Sequence, residues 1–225
     1  MKLVLVARSG LALEALAAVR ATGQLDDAVV LDDDPGHWGS TFAGVPVIGG
    51  LEQVPRLTGH QLLVCAGRGS TREDLVGRLS ELGVGPGRFA TVVHPSVDVP
   101  LGCFVGGGSV LLQGAVLTAN VRVGHHVVVM PNAVLTHDDV VDDYATICAG
   151  VALGGRVRVG RGAYLGMNSS VREGRVVGTG SVLGMGAALT VDLPAGETWV
   201  GVPARRLREA ATTNAGWPGE EGFAS

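Results

Sequence analysis

The sequence predicts two unlike parts in one chain: a small α/β domain over residues 1–91 and an all-β, left-handed parallel β-helix over residues 92–208. Three observations carry this. Strand-like and helix-like segments alternate up to about residue 90. From Val93 to Leu189 every sixth residue is aliphatic, without a slip. The composition is 46% hydrophobic but only 4% aromatic, with 36 glycines. That suits a core of Val, Leu and Ala broken by many turns, and is unlike a helical bundle.

In the first part, Lys2–Ala7 (KLVLVA) reads as a short buried strand. Ser9-Gly10 then leads into a helical stretch, Leu11–Gly23, with Gly23 as its C-cap. Ala28–Asp34 (AVVLDDD) reads as a second strand closed by acids and Pro35-Gly36, and Gln61–Gly67 (QLLVCAG) as a third. Ser70–Gly83 follows as a helix, with Ser70 or Thr71 as N-cap and Leu75, Leu79 and Leu82 at helical spacing. Units in this order make a Rossmann-like domain, whose ligands bind beyond the carboxyl ends of the strands. Here those ends are Ala7–Gly10, Asp32–Asp34 and Gly67–Gly69.

In the second part the aliphatic positions are Val93, Val99, Val105, Leu111, Leu117, Val123, Val129, Leu135, Val141, Ile147, Leu153, Val159, Leu165, Val171, Val177, Leu183 and Leu189. A period of six belongs to neither a helix nor a single strand. Two residues before most of these stands a small or β-branched residue, as at Ser109, Ala133, Val157 and Ala187. Both residues of each pair point inward and the next three turn a corner, so three hexads make one triangular coil. Coils stack at the strand spacing of about 4.8 Å, giving a prism roughly 25 Å tall. Asp139 and Arg175 break the small-residue pattern two coils apart on one face. A buried ion pair between them is expected, with outward bulging of Arg175 as the alternative. The tail, residues 209–225, has no period and is expected to be flexible.

A formal net charge of −4 with scattered Lys and Arg argues against a nucleic-acid partner. No apolar run reaches the length of a membrane span, and the N-terminus lacks the apolar region and cleavage site of a signal peptide. Cys65, Cys103 and Cys148 are odd in number and far apart, which fits a reduced, cytoplasmic protein.

The pieces VLDDDPGHWG, GVPVIGG, VVHPSV, LTHDDVVDDYATI, LGMNSSV and VGVPARRL, in this order, resemble the hexapeptide-repeat sugar acyltransferases. The likeness is to the nucleotide-sugar N-acetyltransferases of the bacillosamine and perosamine pathways, with sialic-acid O-acetyltransferases as relatives. It implies a homotrimer that takes acetyl-CoA as acyl donor and a nucleotide-linked amino sugar as acceptor. The general base it implies is a corner histidine followed by an acid, which falls on His137 and Asp138. The residues support that role by themselves. Leu135 points inward and Asp139 starts the next inward pair, so residues 136–138 form an exposed corner. A neutral imidazole, with an ordinary pKa of about 6.5, can take a proton from an attacking amine, and a carboxylate beside it fixes the tautomer.

The resemblance also implies donor contacts at Thr146, Gly155, Gly166, Met167, Gly184, Met185 and Pro203. Thr146 stands where relatives carry a second histidine. Acceptor contacts are implied at Arg8, Ser9, Gly10, Asp32, Asp33 and Gly67. Here the chain departs from the pattern: Leu11 replaces a histidine, Arg8 is added, and Arg68 stands where Asn or Asp is usual. Of the other histidines, His125 and His126 read as surface residues, His94 as structural, and His37 and His60 as loop residues. No histidine pair has metal-site spacing, so no metal is expected. Two alternatives remain: O-acetylation of a sugar hydroxyl, and a non-catalytic sugar-nucleotide-binding scaffold.

Overall fold

A computed structural model describes residues 1–207, so the predicted tail falls outside the described residues. The N-terminal part is built on five strands: β1 (Lys2–Val6), β2 (Asp27–Leu31), β3 (Thr41–Phe42), β4 (Val45–Gly49) and β5 (Gln61–Val64). Their order is β3-β4-β2-β1-β5, parallel except for the β3–β4 hairpin. Helix α1 (Gly10–Ala21) follows β1, and helix α2 (Gly69–Glu81) follows β5. The three predicted strands and two helices are present, each a residue or more shorter than expected. The hairpin was not foreseen. Its tip is Ala43-Gly44, both with positive φ, and β4 alternates buried Val45, Val47 and Gly49 with exposed Pro46 and Ile48. Two details of α2 differ from expectation. Its N-cap is Arg68, without a side-chain cap bond, and Leu82 is exposed at the C-cap.

From Val92 the chain forms the β-helix. Its strands, two residues long except Thr198–Val200, stack into three sheets, one per prism face, parallel except where Thr198–Val200 meets Arg205–Arg206. Face A carries Phe104–Val105, Arg122–Val123, Val140–Val141, Arg158–Val159 and Val176–Val177. Face B runs from Val92–Val93 through Thr146–Ile147 to Thr198–Val200, and face C from Val116–Leu117 through Val134–Leu135 to Ala188–Leu189. Each hexad aliphatic residue is the second residue of such a strand, with one exception. Val99 is exposed in an irregular stretch, because Pro100 has no N–H to donate to the coil above. The residue ending each corner, every sixth from Gly108 to Gly186, has positive φ. Gly and Asn dominate these sites, as the left-handed region favours them.

The expected Asp139–Arg175 pair does not form. Two coils separate them, about 10 Å at the strand spacing, so Asp139 takes backbone partners instead, the N–H groups of Thr136 (2.7 Å) and Val157 (2.8 Å). Arg175 turns outward to Asp192 at 3.5 Å, which is the bulging alternative.

The α/β part sits on face B and the A/B corner. Helix α1 shares a core with Val92, Val110, Leu112 and Val128 of the prism. Arg72 of α2 is buried and donates to the carbonyls of Ala66, Gly67, His126, Tyr144 and Ala145 and to Thr146 Oγ1. Burial pulls its guanidinium down to about 10, so it stays charged at neutral pH. At Gly69, a Cβ would meet the Tyr144 carbonyl oxygen at 2.1 Å, so only glycine lets α2 start this close to the prism.

Candidate active site

His137 lies on the corner between faces C and A, in the middle of the prism's height. Asp138, the next residue, is the left-handed corner residue (φ +63°), and its Oδ2 lies 2.9 Å from His137 Nδ1. Asn120, one coil below on the same corner, donates its side-chain N–H to Asp138 Oδ1 at 3.2 Å. The bonds from His137 and then Asn120 hold the Asp138 carboxyl below its ordinary range. An ionised carboxylate only accepts, so Nδ1 carries the proton and Nε2 presents a lone pair. Nε2 sits over Gly155 in the coil above, where an added Cβ would come within 2.2 Å of it. The imidazole side chain is 53% exposed. The corner thus offers a solvent-facing base, oriented from behind by an anion.

The other expected site residues fall into three places. Gly155 faces the His137 ring from the coil above. Gly166, Met167, Gly184 and Met185 stack on the next corner, between faces B and C, with both methionines exposed. Pro203 lies in the turn whose Gly201 and Ala204 bond to Ala188 at the top of face C. Face C therefore separates His137 from the methionine corner. Thr146 is on face B beneath α2. It is 1% exposed, donates its hydroxyl to Gly67 O at 3.2 Å, and accepts from Arg72. That hydroxyl is committed inside the chain and does not face a groove, which corrects the expected donor contact.

The acceptor-side residues gather beyond the strand ends of the α/β part. Ser9 caps α1, accepting from Ala12 N at 3.1 Å and donating to the Cys65 carbonyl. Gly10 opens the helix, and the first-turn amides of a helix lack intrahelical partners. Arg8 is exposed, with its guanidinium 5.3 Å from the centre of the Phe42 ring. Asp32 accepts from Arg8 N (2.7 Å), His37 Nδ1 (2.9 Å) and Asp34 N (3.1 Å). Burial pushes its carboxyl up, but these bonds outweigh burial and hold it low. Asp33 is paired bidentately with Arg78 of α2 at 2.6 and 3.0 Å. Both aspartates are thus committed to partners within the chain. Leu11 is buried in the core, and Gly67 O accepts from Arg72 and Thr146.

Two positions that the sequence reading does not single out, and one that it places wrongly, shape this region. Asn120 extends the His137–Asp138 pair. Arg72 ties the Gly67 turn to the prism, and its spacing with the buried Leu75 and Leu79 was the sequence signal. His126 is a correction: it is buried, not on the surface, stacked on Tyr144 (5.2 Å) with Phe89 against its edge (4.6 Å). Burial pulls its ring down to about 4. His125 is exposed, as expected.

Comparison with known proteins agrees with this geometry. The acetyltransferase domain of PglB from Neisseria gonorrhoeae superposes with a TM-score of 0.83 at 27% identity, covering 92% of this chain and 99% of that one. PerB from Caulobacter crescentus, in complex with CoA and GDP-perosamine, gives 0.84 at 27% identity over 92% of this chain and 98% of its own. Among curated proteins, the acyl-[acyl-carrier-protein]–UDP-N-acetylglucosamine O-acyltransferase of Pseudomonas putida is 30% identical over 129 residues, 52% of this chain. This chain spans about half the length of the curated relatives it matches. No family model matches the chain. The chain is thus similar in fold and sequence to hexapeptide-repeat sugar acyltransferases. It takes the fold of PerB and of the PglB acetyltransferase domain, a Rossmann-like domain leading into a left-handed β-helix.

Proposed function

We propose that this chain is an acetyl-CoA-dependent N-acetyltransferase acting on the amine of a nucleotide-linked amino sugar, working as a homotrimer in the cytoplasm with His137 as general base. The observation that carries it is an exposed imidazole whose Nδ1 is held at 2.9 Å by Asp138, leaving Nε2 free over a glycine. The neighbours support the chemistry: PglB's domain has been captured with acetyl-CoA, and histidine variants of the Caulobacter perosamine N-acetyltransferase with CoA and GDP-perosamine.

In this reading the sugar amine attacks the thioester carbonyl and a C–N bond forms. His137 Nε2 takes the amine proton and returns it to the leaving thiolate as the C–S bond breaks. Asp138 stabilises the imidazolium between these steps, and backbone N–H groups steady the oxyanion. The donor lies along face C between Gly155 and the Gly166, Met167, Gly184, Met185 and Pro203 group. The acceptor nucleotide takes the Arg8–Gly10 turn, beside Gly67, Asp32 and Asp33. The α/β part docks on face B, while His137 occupies the corner opposite that face. A neighbouring copy therefore has to bring an acceptor crevice to each His137, which is the argument for an oligomer.

The test is release of free CoA from acetyl-CoA with UDP-, GDP- and dTDP-linked amino sugars, against the same sugars bearing hydroxyl in place of amine. Turnover with at least one amino sugar, and an N-acetylated product by mass, is expected. Silence across the amino sugars would contradict the proposal. One observation favours a second reading, O-acylation: the Pseudomonas relatives are O-acyltransferases. Turnover confined to the hydroxyl-bearing sugars would establish it.

A further inference from the structure

The ladder between coils is regular except at one place. At every other corner from Gly106 to Gly184, the residue after the inward aliphatic one donates its N–H to a carbonyl one coil above. Thr118 N reaches Leu135 O at 3.1 Å, and Gly154 N reaches Val171 O at 2.9 Å. At the His137 corner this bond is missing. Thr136 N turns instead to Asp139 Oδ2 at 2.7 Å, and the carbonyl it should have met, Leu153 O, accepts from Thr136 Oγ1 at 2.9 Å. The strand register records the same opening. Val134 pairs with Ala152, but Leu135 and Leu153 do not pair, whereas the other stacked strands within the coils pair at both residues. Asp139 then uses its second oxygen on Val157 N at 2.8 Å, just past the Gly155 corner. One hydroxyl and one carboxylate thus replace a backbone bond and tie the two corners together on either side of the imidazole.

We infer that Thr136 and Asp139 are positioning residues of the acyl-transfer site, opening the coil ladder at this one corner and fixing the height of His137 Nε2 over Gly155. The inference rests on the reading of His137 as the base. Its physical basis is that a side-chain bridge is longer than a direct N–H···O=C bond. The opening is confined to the Thr136–Leu153 rung, since Arg156 N still reaches His137 O at 2.9 Å, and the side-chain-free Gly155 completes the space the ring fills. A direct ladder bond from Thr136 N to Leu153 O would close that rung. Asp139 prevents that by occupying Thr136 N, and its ionised form suits two N–H donors.

The test uses the full chain with Thr136→Val, which keeps the shape and deletes the hydroxyl, Asp139→Asn, and Thr136→Ser as the restoring variant. Ser109→Ala is the control: its hydroxyl likewise bridges a corner, to Gly124 O and Val127 N, but far from His137. Histidine side-chain 1H–15N spectra report the tautomer, with His137 assigned by its absence in His137→Ala. The wild type is expected to show one Nδ1–H tautomer, and Thr136→Val and Asp139→Asn a mixture, with kcat lower by about tenfold or more and KM for acetyl-CoA within about twofold. Thr136→Ser should restore both, and Ser109→Ala should lower Tm without moving the His137 signals. A folded Thr136→Val protein whose His137 signals match wild type overturns the inference, whatever its turnover. Turnover surviving in His137→Ala would sink the base reading instead, so the two failures are separable.

Discussion

Asp139, which solvent does not reach, and His126 titrate in opposite senses within the same prism. Burial pushes the Asp139 carboxyl up to about 6 from 3.8, against its bonds from Val157 and Thr136. A carboxyl raised in the folded state favours folding when protonated. Stability therefore falls as pH rises from about 4 to about 6, by on the order of 3 kcal/mol. Burial pulls the His126 ring down to about 4 from 6.5, with His125, Arg72 and Arg161 adding to it and Asp143 opposing. The unfolded chain then binds the proton that the folded one refuses. Stability rises with pH over about 4 to 6.5, by a similar amount. The two slopes nearly cancel in the wild type. His126→Asn, which suits a φ of +55°, should unmask a stability that declines from pH 4 to 6. Asp139→Asn should unmask one that climbs to pH 6.5. Denaturant midpoints across this range check both, and slopes parallel to wild type in either variant would refute the assignment. Neither residue's state was legible in the sequence. Asp139 was recognised as inward, but its partners are backbone groups that only stacking reveals. His126 was read from its corner position, and its burial comes from Phe89 of the other part of the chain.

At the scale of elements, the corners do most of the positioning, and two glycines in different settings show how. An alanine at Gly155 would put its methyl against the tip of the His137 side chain, which can swing away into solvent. Gly155→Ala should therefore cut turnover by about tenfold or more while leaving Tm nearly unchanged. An alanine at Gly69 meets a backbone carbonyl of the prism, which cannot swing. Gly69→Ala should lower stability by about 2–4 kcal/mol and loosen α2 from the prism, as overpacking against a rigid wall does. Equal effects of the two substitutions on Tm would contradict this difference. The six-residue period predicted the faces, and hence the exposed corner of His137, because inward burial is imposed at every coil. It failed at Val99, where Pro100 removes a ladder donor and the strand gives way to irregular chain. The β3–β4 hairpin escaped notice because its strands are short and one contains Pro46. The ladder opening at Thr136 escaped because it concerns bonds to a residue one coil away, which no local pattern records.

At the scale of the whole molecule, the chain ties its two parts together through charged side chains at their seam. Arg72 reaches carbonyls from both parts, and Arg161 binds Glu73 of α2 (2.6 Å) and Asp143 of the prism (3.1 Å). Fixed in this way on face B, the α/β part lies away from the corner of its own His137, which is why the proposed reading calls on a second copy. The division into two parts was legible from the change of period near residue 92. The lock between them was not, because an arginine in an amphipathic helix reads as solvent-facing until a second surface covers it.

The measurement that tests the account most directly is the rate of acetyl transfer to an accepted nucleotide-amino sugar, at saturating acetyl-CoA, by wild type and His137→Ala. The account predicts a loss of about 10²–10⁴ in rate, with acetyl-CoA affinity within about twofold and Tm unchanged. A folded His137→Ala protein that still transfers acetyl within about threefold of wild type would contradict it.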